Sequence, residues 1–400
     1  MDDFALTPQE VDFCLREHLE ATPPISCHID SAIGRFLREP IVTDRDLPPY
    51  DRAMMDGYAL RSSDAPGGKL TVQGRQLAGE PPIVLSRQAG NVIEVMTGSS
   101  LPVGADCVVP YEWTRREGDI VHLSQSQAYA PGQYIHQQGE DCRAGSTQVS
   151  VGVWISPIEI AMAASCGYDC LSVSQHPRIT VFSTGDELVP IAAEPKPHQI
   201  RRSNSYAMAA ALKQAGFSCQ DVLHLGDDLG VSKNMLEDSL EQNDVVVLSG
   251  GISKGVMDWI PGVLDGVGER LFHRVAQRPG RPMGAWKAHG GCLVFALPGN
   301  PVSSLVGLYR YVLPYVKACE SGRYDTVFPK VVLAQDVQPL CDKALFLPIV
   351  IDHRKRAVPK PTNNSGDFTG LLGTTGFVML DKGVETVKAG SSVSYLPWNP

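Results

Sequence analysis

The sequence predicts a multidomain protein of the α/β-plus-β class, and three observations carry that prediction. The chain has 400 residues, more than a single hydrophobic core accommodates, so about two to four domains are expected. Between Arg178 and Tyr315, continuous apolar runs of strand length alternate with amphipathic segments, the pattern of a mostly parallel sheet covered on both faces. Before and after this region, short β-prone runs punctuated by Gly and Pro mark all-β modules.

The elements follow in order. Thr7, Pro8 and Glu10 supply the cap, first-turn proline and reciprocal acid of a helix start. Val11, Leu15 and Leu19 then form an apolar stripe, and Pro23 and Pro24 are expected to end the helix. From Asp44 to Gln138 the runs LTVQG, NVIEVMTG, DCVVPYEW and DIVHLS read as short strands. A second capped helix begins at Ser156, Pro157 and Glu159 and stops at Gly167. Helical segments on both sides make the β-rich stretch an insertion. RITVFS, DVVVLSGG and CLVFALPGN are buried strands. SNSYAMAAALKQAG, Leu229–Gln242 and VSSLVGLYRYVLPYV are helices between or after them, the first with a polar cap at Ser203 or Asn204. From Phe328 onward KVVLAQDV, ALFLPIVI, GFVMLD and SVSYLPW form a small closing β domain.

Composition narrows the function classes. Apolar residues make up 43% and charged residues 20% of the chain, as in ordinary globular proteins. A formal net charge of −9 disfavours non-specific nucleic-acid binding. The acidic start MDDFALTPQE lacks the basic and apolar regions of a targeting peptide. No uncharged apolar run reaches the roughly 18 residues that span a bilayer. A soluble, cytoplasmic protein is expected, with no nucleic-acid or membrane partner. The ten cysteines form no C-x-x-C pair and no zinc pattern, and read as buried reduced thiols, with Cys142 set apart by the acidic motif before it.

Three loops at strand ends could carry chemistry, since parallel sheets bind ligands beyond the carboxyl ends of their strands. STGDEL places Asp186 and Glu187 where hard oxygen ligands would suit Mg2+, although turns also use such residues for capping. SGGISKGVMD offers backbone N–H groups at Gly250 and Gly251, hydroxyls at Ser249 and Ser253, and a cation at Lys254, without the Walker spacing. LPGNPVSS fixes an unusual backbone at Pro298, Asn300 and Pro301 ahead of a helix. QRPGRP holds Arg278 and Arg281 in a rigid segment fit for oxyanions, or presents two solvated arginines. Asp227 and Asp228 fit either a site or a helix cap. Asp56, in AMMDGYAL, is by its chemistry alone a turn residue.

AMMDGYAL, VMTGSSLPVGADCVV, QQGEDCRAG, PRITVFSTGDELV, IRRSNSYAMAAAL, LSGGISKG and FALPGNPVSS, in this order, resemble the molybdopterin molybdenumtransferase family, which includes the C-terminal domain of gephyrin. The resemblance covers essentially the whole chain. It implies a three-layer α/β molybdopterin-binding domain at 172–325, preceded by a helix at 1–22 that packs on it. It also implies a linking domain at 23–43 and 139–171, an inserted β-rich domain at 44–138 and a C-terminal β-barrel at 326–400. It implies a transferase that inserts molybdate into adenylylated molybdopterin with release of AMP, working as a homodimer whose site draws on both subunits. Transient contact with the adenylyltransferase and with molybdoenzyme apoproteins follows from such a role.

By motif matching, Asp56, Asp141, Glu187, Asp227 and Asp258 fall on catalytic positions and Thr97 on a substrate position. Glu187 and Asp227 would hold Mg2+. Arg274, Arg278 and Arg281 stand where family members often carry lysine. Lys254 and Met257 also depart from the family pattern, as does TGSS in place of TGA. Two other readings are a molybdopterin-binding carrier or scaffold without catalysis, and an unrelated α/β phosphotransferase. The retained acids speak against the first. The absence of a Walker or kinase signature speaks against the second.

Overall fold

The computed structural model describes residues 5–226, 228–252 and 259–399. It divides into two compact units, the described residues of 1–26, 34–36 and 172–400, and residues 27–33 and 37–171.

The first unit is built on a six-stranded sheet in the order Cys219–Leu225, Ile179–Thr184, Val245–Ser249, Leu293–Leu297, Gly284–Ala288, Gly268–His273. The first four strands pair in parallel and the last two pairings are antiparallel, so Gly284–Ala288 runs against the other five. Every residue of Ile179–Thr184, Val245–Ser249 and Leu293–Leu297 is buried. Two covered faces explain why these strands read as unbroken apolar runs. Each fully buried Val, Leu or Phe contributes roughly 1.5–3 kcal/mol. The last two strands escape the sequence reading because Glu269, Arg270 and Lys287 interrupt their apolar pattern.

Register levels the strand ends. Ser183 stands opposite Ser249, Ser249 opposite Leu297, and Thr184 opposite Leu225. The loops that follow therefore leave the sheet side by side.

The opening helix, Pro8–Glu17, carries the expected capping box: Thr7 Oγ1 accepts from Glu10 N at 3.2 Å and Glu10 Oε2 from Thr7 N at 2.7 Å. Val11 and Leu15 are buried in the same core as the sheet. The helix ends at a His18 cap, ahead of Pro23 and Pro24, and Pro24 instead opens a strand, Pro24–His28. The long segment after Leu293–Leu297 is not one regular helix. Pro301–Gly307 passes through a π turn, Leu308–Val312, into Leu313–Ser321. Pro314 has no N–H to return to the Arg310 carbonyl, so the wider turn accommodates it.

The C-terminal part closes a barrel. Ala344–Ile351, Arg356–Pro359, Lys330–Leu333, Ser392–Pro397 and Gly376–Leu380 pair in sequence, and the last pairs back to the first. Val331, Leu333, Ile349, Ala357, Val378 and Leu380 form its core. Gln277–Arg278, from the α/β region, adds in parallel to Ala344 and Leu345.

The second unit contains a six-stranded sheet in the order Cys107–Pro110, Gly57–Leu60, Asn91–Val95, Lys69–Gln76, Ile120–Leu123, Thr114–Glu117. Alternate residues feed different cores. Tyr58, Leu60, Val92 and Val109 pack in one cluster, and Ala59, Ile93 and Val108 in another, as the strand period of two requires. A small ladder joins Ile41–Val42 to Thr147–Val149. The helix Pro157–Ser165 starts on the Ser156–Glu159 capping box.

All ten cysteines are free, and Cys170 and Cys341 are exposed, unlike the buried thiols expected; Cys142 is half-buried. Burial pushes Cys107 up to about 11 and Cys292 to about 12, which keeps both as unreactive thiols at neutral pH.

Candidate active site

The three levelled loops enclose a cleft of about 770 Å³ in the first unit. Glu187, Ser249, Gly250, Gly251, Pro298, Asn300 and Pro301 all line it. Three loops far apart in sequence meet here because their strands end in register.

Local contacts fix the loops to one another. Thr184 Oγ1 donates to Ser249 O at 3.3 Å, and Gly250 N donates to Leu297 O at 3.0 Å. Gly250 has φ +103, and a Cβ there would lie 2.5 Å from Thr184 Oγ1. Only glycine combines that backbone with that approach. Gly185 has φ +111 and carries the Glu187 carboxylate directly over its α-carbon. The STGDEL turn thus folds Glu187 back at the strand end. Asp186 Oδ1 comes close to Gly226, the residue before Asp227.

Asn204 is the hub of the cleft. Its Nδ2 lies 3.0 Å from Ser249 Oγ, 2.7 Å from Gly299 O and 3.3 Å from Ser304 Oγ. One amide so ties the second loop to the third. The helix cap Ser203 makes no side-chain cap bond. The capping role that sequence suggested for these residues is therefore replaced by loop bracing. From the barrel, Ser365 Oγ accepts from Asn300 Nδ2 at 2.8 Å, and Gly366 lines the cleft. Arg201, Arg202 and Trp259 also line it. None of Arg201, Arg202, Asn204, Trp259 or Ser365 was singled out as a site residue by sequence reasoning. IRRSN was the available signal for the first three.

Behind Ser183, His224 Nδ1 faces Ser183 Oγ at 3.1 Å. Burial first, and then the charge of Arg202, hold this imidazole below its usual range. It is neutral at pH 7.

The remaining expected residues fall elsewhere. Asp227, Ser253, Lys254 and Asp258 lie outside the described residues. Asp228 caps the helix Leu229–Gln242, accepting from Gly230 N at 3.0 Å and Val231 N at 3.2 Å. Of QRPGRP, Pro282 reaches the cleft lining, while Arg274, Arg278 and Arg281 are not part of it. Arg278 and Arg281 are exposed and Arg274 is half-buried. Gln277 braces the turn, accepting from Tyr311 Oη at 2.6 Å and donating to Pro279 O at 3.2 Å.

Asp56, Thr97 and Asp141 belong to the second unit. Asp56 precedes the strand Gly57–Leu60, and its Oδ1 accepts from Thr97 N at 2.6 Å and Thr97 Oγ1 at 2.8 Å. These two bonds hold its carboxyl below the usual range. Asp141 is oriented by a relay. Arg52 approaches His136 Nδ1 at 3.0 Å, and His136 Nε2 stands 3.0 Å from Asp141 Oδ1. A guanidinium only donates, so Nδ1 accepts, and the Nε2 proton points at the carboxylate. Sequence reasoning did not single out Arg52 or His136.

Comparison with known proteins matches this architecture along the chain. The MoeA N-terminal region (domain I and II) matches residues 8–167, a probable molybdopterin binding domain matches 180–318, and the MoeA C-terminal region (domain IV) matches 330–398. A molybdopterin molybdenumtransferase of Synechocystis sp. is 37% identical over 378 residues, covering 92% of this chain and 94% of the relative. Molybdopterin molybdenumtransferase 2 of Mycobacterium tuberculosis is 31% identical over 364 residues, covering 88% and 89%. Among solved structures, a molybdopterin biosynthesis moeA protein from Pyrococcus horikoshii OT3 aligns with a TM-score of 0.83 at 26% identity, covering 98% of this chain and 99% of that one.

Proposed function

The chain belongs to the molybdopterin molybdenumtransferase family, and from that premise we propose that it inserts molybdate into adenylylated molybdopterin and releases AMP. The observation that carries this reading is the cleft, where Glu187, the Ser249–Gly251 turn and the Pro298–Pro301 loop converge at the carboxyl ends of parallel strands.

In this reading the phosphoanhydride of the substrate lies in the cleft. The Gly250 N–H is engaged by Leu297 O, so the Gly251 N–H is the backbone donor of this turn that holds a phosphate oxygen. Asn204 keeps that turn fixed against the third loop, so the donor does not reorganise as charge develops. Arg274, Arg278 and Arg281 stand outside the cleft lining, on the segment that brings Pro282 to it, and in this reading supply positive charge for molybdate. Asp56 and Asp141 are catalytic carboxylates in this reading, one held by Thr97 and the other by His136.

Mg2+ fits the donor chemistry. Glu187 offers exposed hard oxygens in the cleft. Among the described residues no group of three or more His, Cys, Asp or Glu could hold a metal by itself. Glu187 and Asp227, the pair that the family resemblance implies, would hold the ion together with substrate phosphate oxygens, the usual mode for this cation. When bound, it would supply Lewis-acid polarisation of the phosphorus–oxygen bond.

The protein works as a cytoplasmic homodimer in this reading, with transient contacts to the adenylyltransferase that supplies its substrate and to molybdoenzyme apoproteins. No helix among the described residues is long and apolar enough to cross a membrane. The test follows AMP and molybdenum-loaded pterin together across a molybdate titration, with and without Mg2+. Stoichiometric appearance of both, dependent on molybdate, is the expected result. Tight pterin binding with neither product, under conditions where a known family member turns over, would leave a carrier or scaffold in place of the enzyme.

A further inference from the structure

The lining of the cleft contains a guanidinium whose Nε finds no acceptor among the described residues. Arg202 follows the short strand Ile200–Arg201 and lines the cleft beside Asn204. Its backbone N–H is engaged, donating to Val189 O at 3.0 Å. Its side-chain Nε is withdrawn from solvent and has no hydrogen-bond partner among the described residues. Neighbouring Arg201 differs, since its Nε donates to Ala193 O at 3.1 Å. A guanidinium N–H removed from water without an acceptor is costly, and native structures rarely retain one without a reason.

Charges of both signs lie around it, since the His224 imidazole senses Arg202 together with Asp186 and Glu187. His224, the imidazole that senses Arg202, is itself neutral at pH 7, chiefly through burial. Among the described lining residues, Glu187 is the one carboxylate, against Arg201 and Arg202. The eleven-residue helix Asn204–Gln214 starts two residues later, and its cap Ser203 makes no side-chain bond to the first turn. The positive end of that helix dipole therefore reinforces Arg202 at the same wall of the cleft.

We propose that Arg202 is a specificity-determining residue that binds a phosphoryl oxygen of the substrate's phosphoanhydride. The inference rests on the proposed function for the identity of that substrate, but not for the anion site itself. The planar fork of arginine matches phosphate oxygens, and Nε is one of the donors in that fork. Occupancy supplies the acceptor that the fold withholds. Arg202 thereby adds to the cleft an anion contact separate from QRPGRP, on the segment that connects the first strand of the domain to its first helix.

The test uses the full-length chain, its Arg202→Gln and Arg202→Lys variants, and two probes, adenylylated molybdopterin and inorganic pyrophosphate. Calorimetric titration at several salt concentrations gives Kd, and AMP release gives KM and kcat. Loss of a charged hydrogen bond predicts that Arg202→Gln raises Kd for both probes about tenfold or more. It should also make the salt dependence shallower, and the rise in KM should exceed the fall in kcat. Arg202→Lys keeps the charge without the fork and should recover part of the affinity, a rescue that a packing role would not show. Unchanged Kd and salt dependence in both variants, with wild type releasing AMP, overturn the inference and leave the function standing. A wild type that binds pyrophosphate through Arg202 but releases no AMP overturns the function and leaves the anion site.

Discussion

The Thr97 amide and hydroxyl both donate to one oxygen of Asp56, at 2.6 and 2.8 Å. Two residues 41 positions apart thus behave as one unit, which keeps the carboxylate ionised and stationary although both are exposed. The folded pKa of Asp56 lies below its unfolded value of about 3.9. Its contribution to stability is therefore present above about pH 4 and is lost as pH falls through the folded value. Across pH 5 to 8 Asp56 carries its charge, so it does not set an acidic limb of activity in that window. Asp56→Asn should lower AMP release by about 10²–10³ at every pH in the window, with unchanged circular dichroism. Wild-type rates in the purified variant would reduce Asp56 to a turn residue.

Gly250 gives a second prediction, from sterics alone. Alanine at φ +103 is strained, and its Cβ would crowd Thr184 Oγ1. Gly250→Ala should cost about 1–3 kcal/mol of local stability and weaken substrate binding, because the turn can no longer dock on the first loop. Gly262 is the control. It is exposed in the helix Ile260–Val267, and a Cβ there meets nothing within 4 Å. Gly262→Ala should be neutral or stabilising by about 0.4–1 kcal/mol. Thermal unfolding and pterin titration of the pair would show whether the two glycines differ in this way; equal behaviour would refute the steric account.

The third prediction concerns what holds the opening helix to the α/β core. Arg310, at 2% exposure, meets Asp12 through Nη1–Oδ1 at 2.7 Å and Nη2–Oδ2 at 2.6 Å. Tyr324 Oη donates to the same carboxylate at 3.3 Å, and the guanidinium lies 4.7 Å from the Tyr311 ring centroid and 5.0 Å from that of Phe328. Removing one partner strands the other without compensation, so Arg310→Met should cost about 3–5 kcal/mol. The double variant with Asp12→Leu should recover much of that loss. Unfolding of a chain with several domains is not a single transition, so amide exchange within Pro8–Glu17 is the suitable measurement. Protection in Arg310→Met equal to wild type would show that apolar packing of Val11 and Leu15 suffices.

The parts of this molecule that sequence made legible are those in which a residue's neighbours in the chain determine its role. The buried strands Val245–Ser249 and Leu293–Leu297 read as apolar runs because both faces are covered, and the loops after them follow from that. The capping boxes at Thr7 and Ser156 are local by nature. Asn204 was not legible as a brace, since its partners Ser249 and Gly299 come from loops 45 and 95 residues away. Gln277–Arg278 was not legible as a strand, because two residues acquire that character only by pairing with Ala344 and Leu345 of the barrel. The Arg52–His136–Asp141 relay depends on a cross-strand register between Arg52 and His136, which no spacing in the sequence reveals.

The last prediction tests the proposed assembly. Asp56 lies in one compact unit of the chain and Glu187 in the cleft of the other. In a homodimer with two-fold symmetry, each site can draw Glu187 from one subunit and Asp56 from its partner. Asp56→Asn and Glu187→Ala homodimers would then both be inactive. A heterodimer of the two would contain one site with both substitutions and one with neither. Differently tagged subunits, purified as the heterodimer, should show about half the wild-type activity per dimer. If each subunit instead completed its own site, every site in that heterodimer would carry one defect, and AMP release would stay at background. Heterodimers of each variant with wild type control for assembly, since they retain one intact site under either arrangement. Background activity in the mixed variant, with both controls near half, would assign Asp56 and Glu187 to the same subunit's site. A chain that remains monomeric at assay concentration would refute the homodimer itself.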